Sequence, residues 1–309
     1  MKKNIFHNTV NNFSVLLLIL VAIGINTVEL VAQDSTAVTE TIVKKKSYTR
    51  NTFEGNFLID NQTVMVPIKG TFEFDIYHRF APIDKGFTDL FGLFGSANMR
   101  LGFSYSLLND LQIGFGANNH NMQVDFNAKY AIVKQTRDNA MPVSVTFFGD
   151  IAMDTRAKSS VLPIVNTTDR LSYFSQIMVA RKISEKFSLQ GSINYTHFNN
   201  VEGYLDDKNV VQPKMKNDHL SFALTSRYKI SPKTSIVFNY EQPLTTHYMN
   251  NPKPNLSLGL DMKSSGHDFQ VFFGNYGYTV PQNNSFLNQN DYAKGQYVIG
   301  FNMSRLWNF

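Results

Sequence analysis

The sequence predicts an all-β protein: a single transmembrane antiparallel β-barrel of about twelve strands, preceded by a cleaved signal peptide and a short leader. Three observations predict it. Apolar and polar residues alternate with period two through a dozen segments. The links between those segments alternate in length, and aromatic residues collect at both ends of the apolar face.

Composition sets the bounds first. Of 309 residues, 43% are hydrophobic and only 17% charged, and the 26 Phe and 14 Tyr favour strands over helices. With no cysteine, thiolate metal sites, thiol nucleophiles and a lipid-modified N-terminal cysteine are excluded. Residues 1–32 read as a secretory signal, with Lys2 and Lys3 as the positive region, an apolar core over 13–25, and Ala32 at a cleavage point before Gln33. Without them the net charge of +5 falls to about +4, too small and too dispersed to imply nucleic acid. No other stretch approaches the 18 or so apolar residues of a membrane helix, so a membrane-resident mature chain must cross with strands.

Residues 33–70 form the leader, a periplasmic or plug-like segment. It is polar up to residue 51, with a solvated basic run at Lys44, Lys45 and Lys46. Two short extended pieces follow, 53–59 and 63–69, separated by the turn-like Asp60-Asn61. Pro67 argues against a central strand, so these pieces suit a periplasmic hairpin or an insert in the barrel mouth.

The barrel itself is assigned to 71–309. In its first segment Phe72, Phe74, Ile76 and Phe80 share one face, with Glu73, Asp75, Tyr77 and Arg79 on the other. The second alternates Met99, Leu101, Phe103 and Tyr105 with Arg100, Gly102 and Ser104. Further segments follow at 111–118, 122–132, 143–154, 170–181, 187–197, 218–230, 234–241, 255–263, 267–275 and 294–309. Many are 9 to 13 residues long, suited to a tilted crossing. Short links at 109–110, 184–185, 231–233 and 264–266, with a medium one at 135–142, alternate with long ones at 81–96, 155–169, 199–217, 242–254 and 276–293. Only 118–121 departs from this sorting, which is how membrane barrels are built.

Aromatic residues of the apolar parity fall into two girdles. Tyr105, Tyr130, Phe187, Tyr228 and Trp307 lie toward the short-turn rim, and Phe80, Tyr173, Tyr195, Tyr240 and Tyr297 toward the long-loop rim. The last segment ends on Phe309, the form of terminal strand that barrel-assembly machinery reads. These features place the mature chain in the outer membrane of a Gram-negative bacterium, with both termini periplasmic.

Several stretches resemble an uncharacterised Bacteroidetes-type outer-membrane β-barrel family: Gly70-Thr71-Phe72-Glu73-Phe74-Asp75-Ile76-Tyr77-His78-Arg79-Phe80, Asp89-Leu90-Phe91-Gly92-Leu93, Asn98-Met99-Arg100-Leu101-Gly102, the 106–116 turn, and Met141-Pro142-Val143-Ser144-Val145. The resemblance covers most of the chain after residue 50. It implies a barrel and a compartment, and carries no activity and no catalytic residue.

The inward parity lines the lumen with Glu73, Asp75, Arg79, Arg100, Asp125, Lys129, Asp150, Asp154, Arg227, Lys229, Glu241 and Asp261, to which Asp268 and Lys294 add. Charges of both signs on neighbouring strands suit bridges such as Glu73 or Asp75 to Arg100 and Asp125 or Asp150 to Lys129. They describe either a packed interior or a narrow polar pore tuned by those charges. The seven histidines are scattered, His78 and His197 on the lipid-facing parity, and no GxSxG or HExxH motif is present. The expectation is therefore a non-enzymatic porin-like channel or scaffold with extracellular loops, needing no cofactor or metal. The alternatives are a barrel subunit of a secretion or surface-attachment complex, a barrel hydrolase that would draw on Asp150 and Asp154, and a soluble secreted β-sandwich. Expected partners are outer-membrane lipid, the assembly machinery during insertion, and a periplasmic or surface protein.

Overall fold

Twelve long strands pair in strict sequence order and the last closes on the first. The computed structural model describes residues 47–158 and 164–309; the signal expected over 1–32 and the first part of the leader lie outside the described residues. The barrel strands are β1 (Thr71–Pro82), β2 (Asn98–Ser106), β3 (Leu111–Asn118), β4 (Gln123–Val133), β5 (Ser144–Asp154), β6 (Leu171–Lys182), β7 (Phe187–Phe198), β8 (Asp218–Lys229), β9 (Thr234–Pro243), β10 (Asn255–Lys263), β11 (His267–Gly274) and β12 (Val298–Asn308). Every neighbouring pair is antiparallel, and β12 meets β1 in register from Asn308 opposite Thr71 to Val298 opposite Pro82, through one bulge. Closure leaves no barrel edge unpaired, which is what a strand structure in lipid requires.

The period-two pattern dictates which side each residue takes. On β1, buried and half-buried positions alternate without a break from Thr71 to Phe80. Outward positions carry exposed aliphatic and aromatic side chains around the wall, among them Leu101, Ile113, Phe115, Phe126, Ile151, Ile177, Ile193, Leu220, Leu258 and Val271. Ring contacts tie neighbours together on this face, as between Phe103 and Phe115 (centroids 5.2 Å apart) and between Phe72 and Trp307 (5.6 Å). A soluble barrel would bury or charge such a surface; lipid is the solvent that tolerates it.

The loops are sorted as the sequence predicts, with tight turns at 107–110, 183–186, 230–233 and 264–266 and long links at the opposite rim. Two local differences have simple causes. The last strand begins at Val298 rather than near 294, because Tyr292–Lys294 make a 3-10 turn: Asp291 caps it and Gly295 ends it at φ 73°. The 276–293 link also contains a short helix, α1 (Pro281–Leu287), opened by proline in the first turn. Among the described residues no helix is long and apolar enough to cross a membrane.

Candidate functional site: a lumen filled from both ends

The interior of the barrel is occupied. The chain enters from the short-turn rim, where Tyr48 bridges to Thr136 in the β4–β5 link and the amide of Thr49 donates to the Gln135 carbonyl (2.8 Å). It then forms a hairpin in which Phe57–Leu58 pairs with Asn61–Gln62 about the turn at Ile59-Asp60. Phe53, Leu58 and Ile59 are all at most 1% exposed. The segment leaves toward β1 through Lys69, whose amide reaches the Asn109 side chain (3.0 Å). The two extended pieces of the sequence are thus an insert within the wall, not a hairpin outside it.

A two-residue ladder leaves most of the hairpin's backbone groups unpaired, and a buried backbone group must find a partner. Wall side chains supply them. Asn239 donates to the Leu58 carbonyl (2.7 Å), Asn302 (2.6 Å) and Arg79 (3.3 Å) to that of Ile59, and Gln190 to that of Gln62 (2.7 Å). Lys129 donates to the Asn56 carbonyl (2.6 Å), and Arg227 to those of Asn51 (3.1 Å) and Thr52 (3.3 Å). The Ile59 and Val64 amides donate to Gln270 (2.8 Å) and Gln190 (3.0 Å). Side-chain bonds add Gln176 to Asn61 (3.0 Å), Asn56 to Glu73, and Arg227 to Glu54.

The hairpin also brings its own apolar contact. Phe53, Leu58, Ile59 and Val64 pack on Phe148, Phe174, Met178, Val237 and Phe272, all inward-facing wall residues. So the buried apolar cluster of the protein lies inside the barrel, between insert and wall.

From the opposite rim α1 folds inward, with Gln282, Asn283, Asn284, Ser285 and Phe286 buried. Gln282 donates to Asp150 (2.7 Å), Asn283 to Gln123 (2.7 Å) and Ser285 to Glu241 (2.7 Å). Hairpin and helix segment meet where the Tyr276 hydroxyl bonds Asp60 at 2.7 Å. A cavity remains there between Asp60, Arg100, Asp150 and Asn284, with a second beside Glu73 and Lys129. Each has room for about one water.

Phe286 closes over a histidine pair. The Lys216 amide donates to His247 Nδ1 (3.0 Å), so neutral His247 carries its proton on Nε2 and donates to His219 Nδ1 (2.9 Å). The two rings lie nearly parallel, 11° apart, and both are roughly perpendicular to the Phe286 ring. The rings belong to β8 and the β9–β10 link, so the pair ties that link and α1 to the wall.

The inward charges fall into distinct settings. Arg100 lies between Asp75 (2.8 Å) and Asp125 (2.6 Å), all three nearly inaccessible. Gly102 and Gly116 make the space: a Cβ on Gly102 would stand 2.4 Å from Arg100 Nη1, and one on Gly116 2.3 Å from Nη2. Glu73, Arg79, Lys129, Asp150, Arg227, Glu241 and Asp261 are likewise buried, as is Asp268. Arg79, Lys129 and Arg227 hold the hairpin. Lys129 therefore goes to the hairpin carbonyl and not to Asp125 or Asp150. Asp154 sits half-buried at the long-loop rim, paired with Arg156, and Lys229 is half-buried at the other rim. Of the girdle residues, Tyr105, Tyr130 and Tyr228 are exposed on the outer wall, while Tyr173, Tyr195, Tyr240 and Trp307 are partly covered. Phe309 lies one residue beyond β12 and is 91% exposed.

The sequence carried a signal for the insert that alternation alone conceals. Phe148, Phe174, Met178, Val237 and Phe272 are apolar on the inward parity, where an aqueous or salt-bridged lumen calls for polar residues. Inward apolar positions on β5, β6, β9 and β11 mark the face on which an apolar segment docks.

Fold and interior together define a membrane-spanning β-barrel with its own chain folded into the lumen. The protein belongs to the family described as "Membrane bound beta barrel domain (DUF5777)", whose model matches residues 53–307 and so takes in the hairpin as well as the wall. Among solved structures it is similar to the NanC porin (9% identity, 76% of this chain and 99% of that one, TM-score 0.47). It is also similar to the KdgM porin (8%, 77% and 99%, 0.43) and to an outer membrane channel from Pseudomonas putida F1 (11%, 79% and 97%, 0.47). No curated protein matches the chain.

Proposed function

We propose that the protein is a non-enzymatic channel of the bacterial outer membrane, closed at rest by its own hairpin and α1, that passes small polar solutes when the hairpin withdraws through the short-turn rim and α1 swings out at the other. One observation carries this reading: the hairpin is held mainly by wall side chains donating to its carbonyls, from Arg79, Lys129, Arg227, Asn239, Asn302 and Gln190. A barrel meant only to be filled gains nothing from buried charges, since well-packed apolar residues serve as well or better. A wall of polar donors can instead exchange the hairpin for water and solute. In this arrangement the short-turn rim faces the periplasm and the tyrosine and tryptophan girdles sit at headgroup level. The terminal strand is the segment read by the assembly machinery.

The test uses the absence of native cysteine. With cysteines at positions 61 and 176, whose native side chains touch at 3.0 Å, a short bifunctional thiol reagent joins hairpin to wall. The unbridged protein in a planar bilayer should open intermittently and the bridged protein should stay closed. Equal conductance in both states, or none in either, sinks the proposal.

A second reading, a barrel subunit of a surface-attachment complex, is favoured by the ribbon of Gly203–Leu205 and Val211–Pro213 in the β7–β8 link. Tyr204, Leu205 and Val211 are exposed on it and its outer edges are unpaired among the described residues, a place where a surface protein could add a strand.

A further inference from the structure

The β1–β2 link, residues 83–97, presents an apolar surface. Phe87 is 84% exposed and Phe94 79%, and Leu90, Phe91 and Leu93 are exposed beside them. From Leu90 to Gly95 the segment has no charged residue. It does not stand away from the barrel. Gly92 accepts from the Ala81 amide (3.3 Å), and the Ile83 amide reaches the Tyr297 carbonyl (2.9 Å), fixing both sides of the link to the rim. Gly92, at φ 84°, lies so close that a Cβ would stand 2.1 Å from the Ala81 carbonyl oxygen, so only glycine fits.

The backbone keeps these side chains outside at a cost. Leu90 and Phe91 have φ of 51° and 56°, a left-handed pair that bulky residues rarely adopt. Asp89 stabilises the bend by accepting from the Gly92 amide (3.0 Å). Exposed rings held in this way are costly in water, and lipid removes that cost. The surface is continuous with the lipid-facing wall. Directly below on β1 and β12 lies an outward ring cluster, with His78 stacked on Phe301 (4.9 Å) and against Phe80 (4.4 Å). Where the link re-enters the wall, Met99 is exposed on the same face.

We infer that this loop is a bilayer anchor: Phe87 and Phe94 insert among the lipid headgroups and upper acyl chains of the leaflet at the long-loop rim. The occupant is lipid, because the patch continues the surface that lipid already covers and rings at this level suit the interface. The inference rests on the chain being a membrane barrel, and is independent of whether the lumen opens.

The native Trp307 is replaced first (Trp307→Phe), and a single tryptophan is returned as Phe94→Trp or, separately, Phe87→Trp in the full chain. Heat-modifiable migration shows that each variant is folded. In phosphatidylcholine vesicles, lipids brominated high on the acyl chain should quench both reporters at least about two-fold, and aqueous acrylamide should quench them little. A Leu101→Trp reporter on the wall gives the lipid limit, and Tyr248→Trp, on an exposed loop of the same rim, the aqueous limit. Reporters at 87 and 94 that respond to acrylamide like the one at 248, and not to bromolipid, would overturn the anchor and leave the patch to a protein partner. If Leu101→Trp also escapes bromolipid, it is the membrane barrel that fails and not the loop.

Discussion

Replacing Arg100 by methionine removes the one cation between Asp75 and Asp125 while keeping most of the side-chain volume. The guanidinium makes three bonds to the two carboxylates: Nη1 to Asp75 at 2.8 Å, Nη2 to Asp125 at 2.6 Å and Nε to Asp125 at 2.9 Å. All three side chains are at most 7% accessible. Stranding buried charge by deleting one partner costs about 3–5 kcal/mol. With a urea dependence of roughly 1–3 kcal/mol per molar, the unfolding midpoint should fall by at least about 1 M. The assay is urea unfolding in vesicles, followed by loss of heat-modifiable migration. Adding Asp75→Asn and Asp125→Asn to Arg100→Met removes the stranded charges and should recover all but about 1 kcal/mol. If Arg100→Met alone costs less than about 0.5 kcal/mol, the trio is bathed in water, and the packed lumen described above is wrong.

Other consequences follow from the same packing. Gly102→Ala drives a Cβ into Arg100 and Asp75 and should cost about 1–3 kcal/mol in the same urea assay, whereas Gly191→Ala, whose Cβ would meet only Phe222 at 3.7 Å, should be nearly silent. Asn239→Ala and Gln190→Ala each remove donors from the hairpin, at about 0.5–1.5 kcal/mol per bond, so the double variant should open more often in a bilayer with the wall still folded; unchanged open times argue against a hairpin gate. Burial, then the nearby Lys216 charge, holds the His247 imidazole below its ordinary 6.5. A released link takes up a proton that the closed one refuses, so the link's hold is complete above 6.5 and weakens as pH falls below it. Amide exchange in residues 244–254 should therefore be faster at about pH 5 than at about pH 8 once corrected for intrinsic rates, and His247→Gln should reduce the difference; a His247→Gln protein with the same pH response would remove His247 from the explanation.

The wall was legible residue by residue because lipid and lumen impose opposite demands on alternate positions. Phe72, Phe74 and Ile76 cannot share a face with Glu73, Asp75 and Tyr77, and that conflict fixes strand, face and closure together. The contents of the lumen were much less legible. The hairpin over 53–65 has only two paired rungs, and many of its other backbone bonds go to side chains far along the chain, as Ile59 does to Gln270 and Val64 to Gln190. No local periodicity encodes such partners. The same holds for α1: seven residues, PQNNSFL, have no apolar stripe, and their burial depends on Asp150, Gln123 and Glu241 standing ready on three distant strands. Lys129 illustrates the limit. Its inward parity follows from alternation, but the choice of a hairpin carbonyl over Asp125 or Asp150 depends on a segment whose place the pattern does not specify.

The central claim, a membrane barrel whose pore exists but is stopped by its own chain, is tested most directly by removing the stopper. A chain lacking 47–69, with Gly-Ser residues in place of the α1 segment 281–287 that fills the other end, and shown to be folded by heat-modifiable migration, should give a steady conductance in a planar bilayer, where the full chain is closed or flickers. A folded barrel of this deleted chain that passes no current would contradict the account and leave a filled scaffold in its place.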